Sequence, residues 1–369
     1  MPLSPRLANR MTDAPRRPSG KPHSQAELNE IAELHRFFLA RRPGGRRALL
    51  SCAKLFDLDL SRRAFREADF SAADLSGANL TGGDFERASF YCADLRDSRI
   101  CYANLKGADL RGASMRGADL SFSMMDGADL RAAVMLRHDS EAGHVRAVSP
   151  GGSPTRGGVD FSNCSLKGAS LNEVNLKGAN FHNANLQGVT FRRAKLTEVN
   201  LDGAILTGVN VSELPFSSHE LLSCVFDPSA RAVSRAPLLL EKVTRHELWV
   251  SSGARLGEAA VLDDEDFRPL RNSFRGRELT ALCARHAILV GVNFSLCQLQ
   301  GANFSDSDLR DCNFEGADLR GVNFRGAKLA HAHFGKSDMR PLKLANGMVQ
   351  SVALAGAQFG PAQFAGALS

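Results

Sequence analysis

Residues 102–120 read YANLKGADLRGASMRGADL, and a leucine or methionine returns at every fifth position. The returning residues are Leu105, Leu110, Met115 and Leu120. Alanine stands two places before each of them, with Asn, Asp or Ser in between. A helix repeats its apolar face about every 3.6 residues and a strand every second residue, so neither explains a period of five. The stretch therefore predicts a chain that changes direction once every five residues.

The same five-residue frame fills three blocks of the chain. Large apolar residues occupy nearly every fifth position in residues 55–135, 161–226 and 274–364. The pattern is less regular at the start of the third block. Most of the 22 Phe residues lie on the frame, whereas the whole chain has one Trp and two Tyr. A repeat of this length predicts a solenoid rather than a domain with one compact core.

A corner of about 90° at each step explains the period, because the same kind of side chain then points inward four times per coil. Coils of about 20 residues would stack at about 4.8 Å through backbone hydrogen bonds. The small residue two places before each inward side chain, usually Ala, fits where the coil is narrow. The Asp or Asn between them faces water, and Gly allows the tight corners. This register predicts ladders of like side chains, with Phe65 on Phe85 and Phe70 on Phe90.

The third block predicts the same kind of ladders. Phe294, Phe314 and Phe334 should share one face of the coil, and Phe304 and Phe324 the opposite face. In the narrow positions, cysteine replaces alanine at four places, which favours buried reduced thiols: Cys164, Cys224, Cys297 and Cys312. The eight cysteines show no CxxC spacing, so neither a disulfide framework nor a zinc site is predicted.

Two short amphipathic helices are predicted, one before each solenoid. Ser24 and Glu27 form a possible capping box for a helix over about 24–41. A similar piece precedes the third block, and aligning His246 with His35 also places Trp249 on Phe38. Both histidines are expected to help the helices pack.

This sequence resembles the pentapeptide repeat family, through its A-[DN]-L-x-x repeats over about two thirds of the chain. The resemblance implies an all-β fold, a right-handed quadrilateral β-helix, here in two stacked modules that each begin with a helix. The expected domains are a disordered basic leader (1–23), a first module (24–226) with an inserted loop (136–160), a linker (227–236) and a second module (237–369).

The net charge of +6 lies in the first 51 residues, which hold ten basic and four acidic side chains. The repeat blocks are nearly neutral, so neither a polyanionic surface that imitates DNA nor a surface that binds DNA is expected. We expect no membrane span, because no apolar run approaches the necessary ~18 residues. The expected location is the cytoplasm, and export without a leader stays open.

No catalytic, cofactor or metal site is predicted, since a filled solenoid offers no concave polar cleft. His331 and His333 resemble a metal pair, but they lie at a corner where their side chains should diverge.

Two places outside the regular repeat are the candidate interaction sites. The inserted loop at 136–160 is expected to be flexible and to bind a partner protein. Its candidate residues are Arg137, His138, Asp139, Glu141, His144 and Arg146. The uncharged C-terminal stretch is expected to expose an open coil and form a homodimer, as related solenoids do. Its candidate residues are Leu344, Val349, Leu354, Phe359 and Phe364.

The leading hypothesis is a non-enzymatic bacterial protein-binding scaffold, accessory to or effector of a secretion system, whose partner the sequence does not identify. The alternative follows from the resemblance, whose quinolone-resistance members are thought to engage DNA gyrase. It is a protein that inhibits or protects a topoisomerase.

Overall fold

The computed structural model describes residues 22–133, 135–138, 145–148, 158–217, 220–360, 364 and 366–368. The chain forms two compact units, Met1–Phe226 and Asp227–Ser369. In each unit the repeats wind into a solenoid, with parallel bridges between residues about 20 positions apart. None of the helices in the described ranges is long and apolar enough to cross a bilayer.

Backbone hydrogen bonds join each coil to the next. Leu75 donates its N–H to the carbonyl of Asp94 at 2.8 Å, and Asp94 donates to Ala73 at 2.9 Å. The bridging residue is the one before each inward side chain, so Asp74 pairs with Asp94 in parallel. The other residues of each five-residue repeat form the corner. Each face of a coil therefore contributes only one residue to the parallel pairing, and the coils stack without long strands.

The interior is a column of apolar side chains, and the predicted aromatic ladders are confirmed. The rings of Phe65 and Phe85 stack with centroids 6.0 Å apart, and those of Phe70 and Phe90 at 5.0 Å. In the second unit the rings stack from Phe294 to Phe314 and on to Phe334, at 5.4 and 5.1 Å. These rings are at most 1% exposed. The interior is therefore filled and leaves no channel along the axis.

Each corner places the residue two positions after the inward side chain in the left-handed region. The φ angle there is +69° at Gly77, +57° at Ala72 and +60° at Tyr102. The preceding Asp or Asn supports the corner, since Asp74 Oδ1 accepts the backbone N–H of Ser76 at 3.2 Å. The Asp and Asn of the repeat were expected only to face water, so this hydrogen bond is an additional reason for their use.

Beyond the solenoid coils, the described residues form a few regular elements. They are α1 (Gln25–Leu39), β1 (Met135–His138), β2 (Val145–Val148), α2 (Ala230–Ser251), β3 (Leu342–Lys343) and β4 (Val349–Gln350), with 3-10 turns at Val211–Glu213 and Arg268–Leu270. The strands β1 and β2 form one antiparallel hairpin, and β3 and β4 form another.

Helix α1 packs on the first coil through a buried histidine. The predicted capping box is present, with Ser24 and Glu27 each accepting the other's backbone N–H. His35 is fully buried, and its Nδ1 accepts the N–H of Ala48 at 3.0 Å. Its Nε2 lies 2.9 Å from the carbonyl of Arg66, which can only accept. The imidazole is therefore neutral, with its proton on Nε2.

Helix α2 corrects the expected linker at 227–236, because it already begins at Ala230. The Ser229 side chain caps it by accepting the N–H of Ala232 at 3.1 Å. Ala232 and Ala236 are buried, so the packed face of the helix extends through the segment that was taken as a linker. Pro237 was expected near the start of this helix and instead lies inside it.

The second solenoid begins earlier than predicted, within the supposed break at 227–273. Leu262 and Phe267 are inward residues, each 1% exposed. The next inward residue is Phe274, seven positions later rather than five, because Arg268–Leu270 form a 3-10 turn. Parallel bridges across this coil accordingly join residues 22 apart, such as Val261 and Cys283.

Two segments that the five-residue frame includes are not regular coil. Met135, expected to be an inward residue, begins strand β1. The chain also leaves the regular winding at Val211–Glu213, and the later frame residues Phe216, Leu221 and Phe226 are only partly buried or exposed. The first solenoid therefore ends less regularly than the sequence predicted.

Candidate functional site

The β1–β2 hairpin leaves the first solenoid at one corner. Asp119 bridges Asp160, and Asp129 bridges Ser170, so bridged partners here are 41 positions apart in the sequence instead of 20. One coil is therefore twenty-one residues longer than its neighbours. Parallel bridges still join the coil before the insert to the coil after it on three faces of the solenoid. The extra residues therefore project from the fourth face.

The described part of the insert, β1 and β2, is an antiparallel ladder, while most of the loop expected at 136–160 lies outside the described residues. Met135 pairs with Val148, and His138 with Val145. Arg137 and Arg146 are direct cross-strand partners. Like charges in this register destabilise a hairpin. Of the remaining candidate residues, Asp139, Glu141 and His144 lie outside the described residues.

Beside the hairpin is an open cavity of about 470 Å³. Arg131, Ala132 and Ala133, which lead into β1, form one wall of it. The other lining residues come from the same corner of neighbouring coils: Tyr91, Arg111, Asn172, Glu173, Arg192 and Arg193. We call the column of corner side chains Tyr91, Arg111, Arg131, Asn172 and Arg192, with Arg193 beside it, the arginine edge.

The lower arginines of this edge are held by aspartates of the repeat. Arg111 donates through Nε and Nη2 to Asp109 at 2.8 and 2.7 Å, and its guanidinium lies 5.4 Å from the Tyr91 ring centre. Arg131 binds Asp129 in the same way. The hydrogen bond to each aspartate raises the pKa of its arginine. Burial alone would raise the pKa of Asp129, but the hydrogen bonds from Arg131 outweigh it and lower this pKa.

Of the upper arginines, Arg192 lacks this support. Thr190 occupies the position that Asp109 and Asp129 hold in the lower coils. Arg192 uses its backbone N–H to bind Asn172 Oδ1 at 2.8 Å, and no described carboxylate pairs with its guanidinium. Arg193 lies 3.6 Å from Glu173 and is exposed. Sequence reasoning missed this edge, although the spacing of these arginines in coils of about 20 residues was a signal that could have found it.

The expected C-terminal interface is only partly one surface. Asn323 bridges Ala353, and Lys328 bridges Gln358, with 30 residues between partners. The ten extra residues form the β3–β4 hairpin, so Leu344 and Val349 do not continue the interior column as predicted. Val349 is 60% exposed on that hairpin.

The other three candidates of the C-terminal interface do lie in the last coil. Phe364 packs on Phe334 with ring centroids 4.6 Å apart, and Phe359 contacts Phe364 at 5.0 Å. Leu354, Phe359 and Phe364 remain half-buried, whereas the inward residues of preceding coils are fully buried. Among the described coils of the second unit, this one therefore has more exposed inward residues than those before it.

The histidines and cysteines of the repeats occupy structural positions. His331 is a corner residue with φ +60°, and its neighbour His333 bridges Asn313. Among the described residues, no group of three or more His, Cys, Asp or Glu is placed to hold a metal. All eight cysteines are free thiols. Burial raises the pKa of the Cys164 thiol to about 12, which suppresses the reactive thiolate.

Family models for pentapeptide repeats match most of the repeat blocks. The pentapeptide repeats model matches residues 53–91, 68–101, 93–131, 157–193 and 175–213, and the pentapeptide repeat region model matches 287–364. A comparison with curated proteins returns no match.

Several solved structures are similar to this chain. HetL, a pentapeptide repeat protein involved in heterocyst differentiation regulation from the cyanobacterium Nostoc sp. strain PCC 7120, is 18% identical, with 88% of this chain and 93% of HetL covered and a TM-score of 0.23. QnrB1, a plasmid-mediated fluoroquinolone resistance protein, is 17% identical, with 86% and 92% covered and a TM-score of 0.20. The Nostoc pentapeptide repeat protein alr5209 is 34% identical, with 27% and 79% covered and a TM-score of 0.16. Since the family models together match more than half of its residues, the chain belongs to the pentapeptide repeat family.

Proposed function

We propose that this chain is a non-enzymatic bacterial scaffold that binds a partner protein through the β1–β2 hairpin and the neighbouring arginine edge. The supporting observation is the position of the hairpin, which projects from one face while the coils on either side keep their pairing. The filled interior supports binding rather than catalysis, because catalysis needs a partly dry polar cleft. We place this role in the cytoplasm, where the scaffold would serve a secretion system.

A deletion of 136–156 provides the test, because it restores the repeat. The joined sequence would run from Met135 through Gly157, Gly158 and Val159 to Asp160 and Phe161. Glycine then occupies the left-handed corner and the inward frame continues without interruption. This variant should fold as a regular solenoid that lacks only the insert.

The deletion variant and the full chain would be compared as baits in pull-downs from a bacterial lysate, with bound proteins identified by mass spectrometry. We expect a partner that the full chain retains and the deletion variant loses. Equal retention by both would overturn the role of the hairpin. Circular dichroism would verify that the variant remains folded.

The alternative proposal is a protein that inhibits or protects a topoisomerase. The projecting hairpin is the feature that would favour it. The outward aspartates weigh against imitation of DNA, because several of them are already paired with arginines of the same corner, as in Asp109 with Arg111 and Asp318 with Arg320. A gyrase supercoiling assay separates the two proposals, since a scaffold for another partner has no effect at micromolar concentration.

We also propose a homodimer through the last coil of the second unit. Half-buried Leu354, Phe359 and Phe364 support it, because partly exposed apolar side chains favour association. Light scattering should give a dimer for the full chain and a monomer for the variant Leu354→Gln with Phe359→Gln, which keeps the coil beneath covered. A dimer that survives these substitutions would overturn the proposal.

A further inference from the structure

We propose that the arginine edge binds a short, extended acidic segment of the partner protein, which rests on the scaffold function proposed above. The edge begins with a charge imbalance. Below the insert, every arginine of the column has an aspartate two residues before it, as Asp109 stands before Arg111. Above the insert the column continues with Arg192, but Thr190 takes the place of the aspartate.

Arginines are concentrated around the cavity. Four line it, namely Arg111, Arg131, Arg192 and Arg193, and Glu173 is the single acidic residue of the lining. Asp109, Asp129 and Glu173 pair with three of these arginines, so Arg192 is the one whose guanidinium has no described carboxylate. Arg111 and Arg131 each use Nε and Nη2 on an aspartate, which leaves Nη1 of both guanidiniums for a further acceptor. A planar guanidinium held in this way is pre-organised to receive a second carboxylate.

The hairpin leaves the solenoid beside this cavity. Arg131, Ala132 and Ala133 line the cavity and come shortly before β1 in the sequence.

The dimensions fit a short extended peptide. The column from Arg111 to Arg192 spans three coil steps, or about 14 Å at about 4.8 Å per step. An extended chain rises about 3.3 Å per residue, so about four residues of a partner would cover it. A duplex nucleic acid needs several phosphate contacts over a longer path than this column offers.

The test uses a fluorescein-labelled eight-residue peptide of alternating Glu and Ser, titrated with the full chain while fluorescence anisotropy is recorded. A peptide of alternating Gln and Ser and an eight-nucleotide oligothymidylate serve as comparison probes. We expect the Glu-Ser peptide to bind and the other two to bind at least tenfold more weakly. The affinity for it should fall as salt concentration rises.

The variant Arg192→Gln with Arg193→Gln should weaken the peptide at least tenfold. The matched control is Arg320→Gln with Arg325→Gln, which removes two arginines from corners of the second unit and should change affinity less than twofold. An equal loss in both variants would show diffuse electrostatic attraction and overturn the proposal. Tighter binding of the oligothymidylate, or no binding of the Glu-Ser peptide, would also overturn it.

The result is separable from the fate of the scaffold proposal. If the pull-down yields a partner that depends on the hairpin but excess Glu-Ser peptide does not displace it, the scaffold stands and the acidic-segment proposal fails. If the peptide binds at Arg192 and Arg193 but no partner depends on the hairpin, the scaffold proposal fails instead.

Discussion

Each solenoid begins with a helix whose buried histidine makes the same two hydrogen bonds to the first coil. In α1, His35 accepts the N–H of Ala48 and donates to the carbonyl of Arg66. In α2, His246 accepts the N–H of Ala260 at 3.1 Å and donates to the carbonyl of Thr280 at 3.0 Å. Each imidazole is fully buried and links its helix to two points of the first coil.

The surroundings of the two histidines differ. His35 stacks between Phe38 and Phe65, with ring centroids at 5.6 and 5.8 Å, whereas His246 stacks on Trp249 at 5.6 Å. Helix α1 has 15 residues and α2 has 22. The paired hydrogen bonds are common to both starts while helix length and ring packing vary. We therefore infer that these two hydrogen bonds are the contact by which each helix covers the first coil of its solenoid.

The largest expected effect is the loss of one histidine. In His35→Leu the Ala48 N–H and the Arg66 carbonyl lose their partner inside the protein, and each such loss costs about 1–3 kcal/mol. We expect local stability at α1 to fall by about 4 kcal/mol, and His246→Leu to do the same at α2. Urea titrations would follow Trp249 fluorescence for α2 and, for α1, a Trp placed by Phe38→Trp in a Trp249→Phe background.

Each variant serves as the control for the other. Solenoid stability depends on neighbouring contacts, so His35→Leu should leave the α2 transition unchanged, and His246→Leu the α1 transition. If either variant loosened both helices equally, the two starts would not be independent. If neither variant moved its own transition, the hydrogen bonds would not be the contact by which each helix covers its first coil.

The next effect comes from two glycines that let the chain pass close to the helices. A Cβ on Gly45 would lie 2.3 Å from the Phe38 nitrogen, and one on Gly257 would lie 2.1 Å from the Arg245 oxygen. Both neighbours are backbone atoms that cannot rotate away. We expect Gly45→Ala and Gly257→Ala to cost about 2–3 kcal/mol each in the same urea titrations.

Glycines with open space serve as controls for this substitution. Gly44 and Gly253 have φ of +80° and +62°, and nothing lies within 4 Å of a Cβ at either position. Alanine there brings only backbone strain of about 1 kcal/mol. Gly257 also has a positive φ, of +74°, so a cost at Gly253 as large as at Gly257 would show that conformation, rather than contact with α2, explains that glycine.

The smallest effect is a dependence on pH that both starts should share. Burial lowers the pKa of His35 and of His246, although the hydrogen bonds to Arg66 and Thr280 raise it in part. Arg47 lowers and Glu67 raises the pKa of His35, and Glu247 raises that of His246. The unfolded histidines titrate near 6.5 and bind protons first, so stability is complete above that pH and is lost below it.

Urea midpoints measured from pH 7.5 to 5.5 would detect this dependence. The slope can reach about 1.4 kcal/mol per pH unit for each histidine. Carboxylates remain largely ionised over this range, so they contribute little. The His35→Leu variant should lose the pH dependence at α1 and keep it at α2, and an unchanged slope at α1 would assign the effect to another group.

Much of the fold could be predicted because inward side chains, corners and narrow positions recur in a fixed order. The ladder from Phe65 to Phe85 followed from that order, and the alignment of His246 with His35 followed from the similarity of the two segments that precede the solenoids. The insertions could not be placed in the same way. Leu344 and Val349 stay on the five-residue frame only because the β3–β4 hairpin adds ten residues, a multiple of five.

A signal for two of the missed insertions was present in the sequence. Proline fixes φ near −65° and cannot adopt the left-handed corner. Pro269 stands two positions after Phe267, and Pro341 two positions after Met339, each in the place of a corner residue. The 3-10 turn Arg268–Leu270 and strand β3 begin at these places. The arginine edge was harder to predict, because it joins residues from coils that the insert separates in sequence.

The left-handed corners also determine which side chains the surface of the solenoid can carry. Where a described corner is not glycine it carries Ala, Cys, Leu, Phe, Tyr, His, Asn, Asp, Glu, Lys or Arg, and none carries Val, Ile, Thr or Pro. The backbone restricts the shape of the side chain near its Cβ and accepts almost any chemistry beyond it. Each edge of the solenoid is therefore a regular grid of display positions about 4.8 Å apart. Recognition can change along such an edge one residue at a time while the coil beneath stays the same.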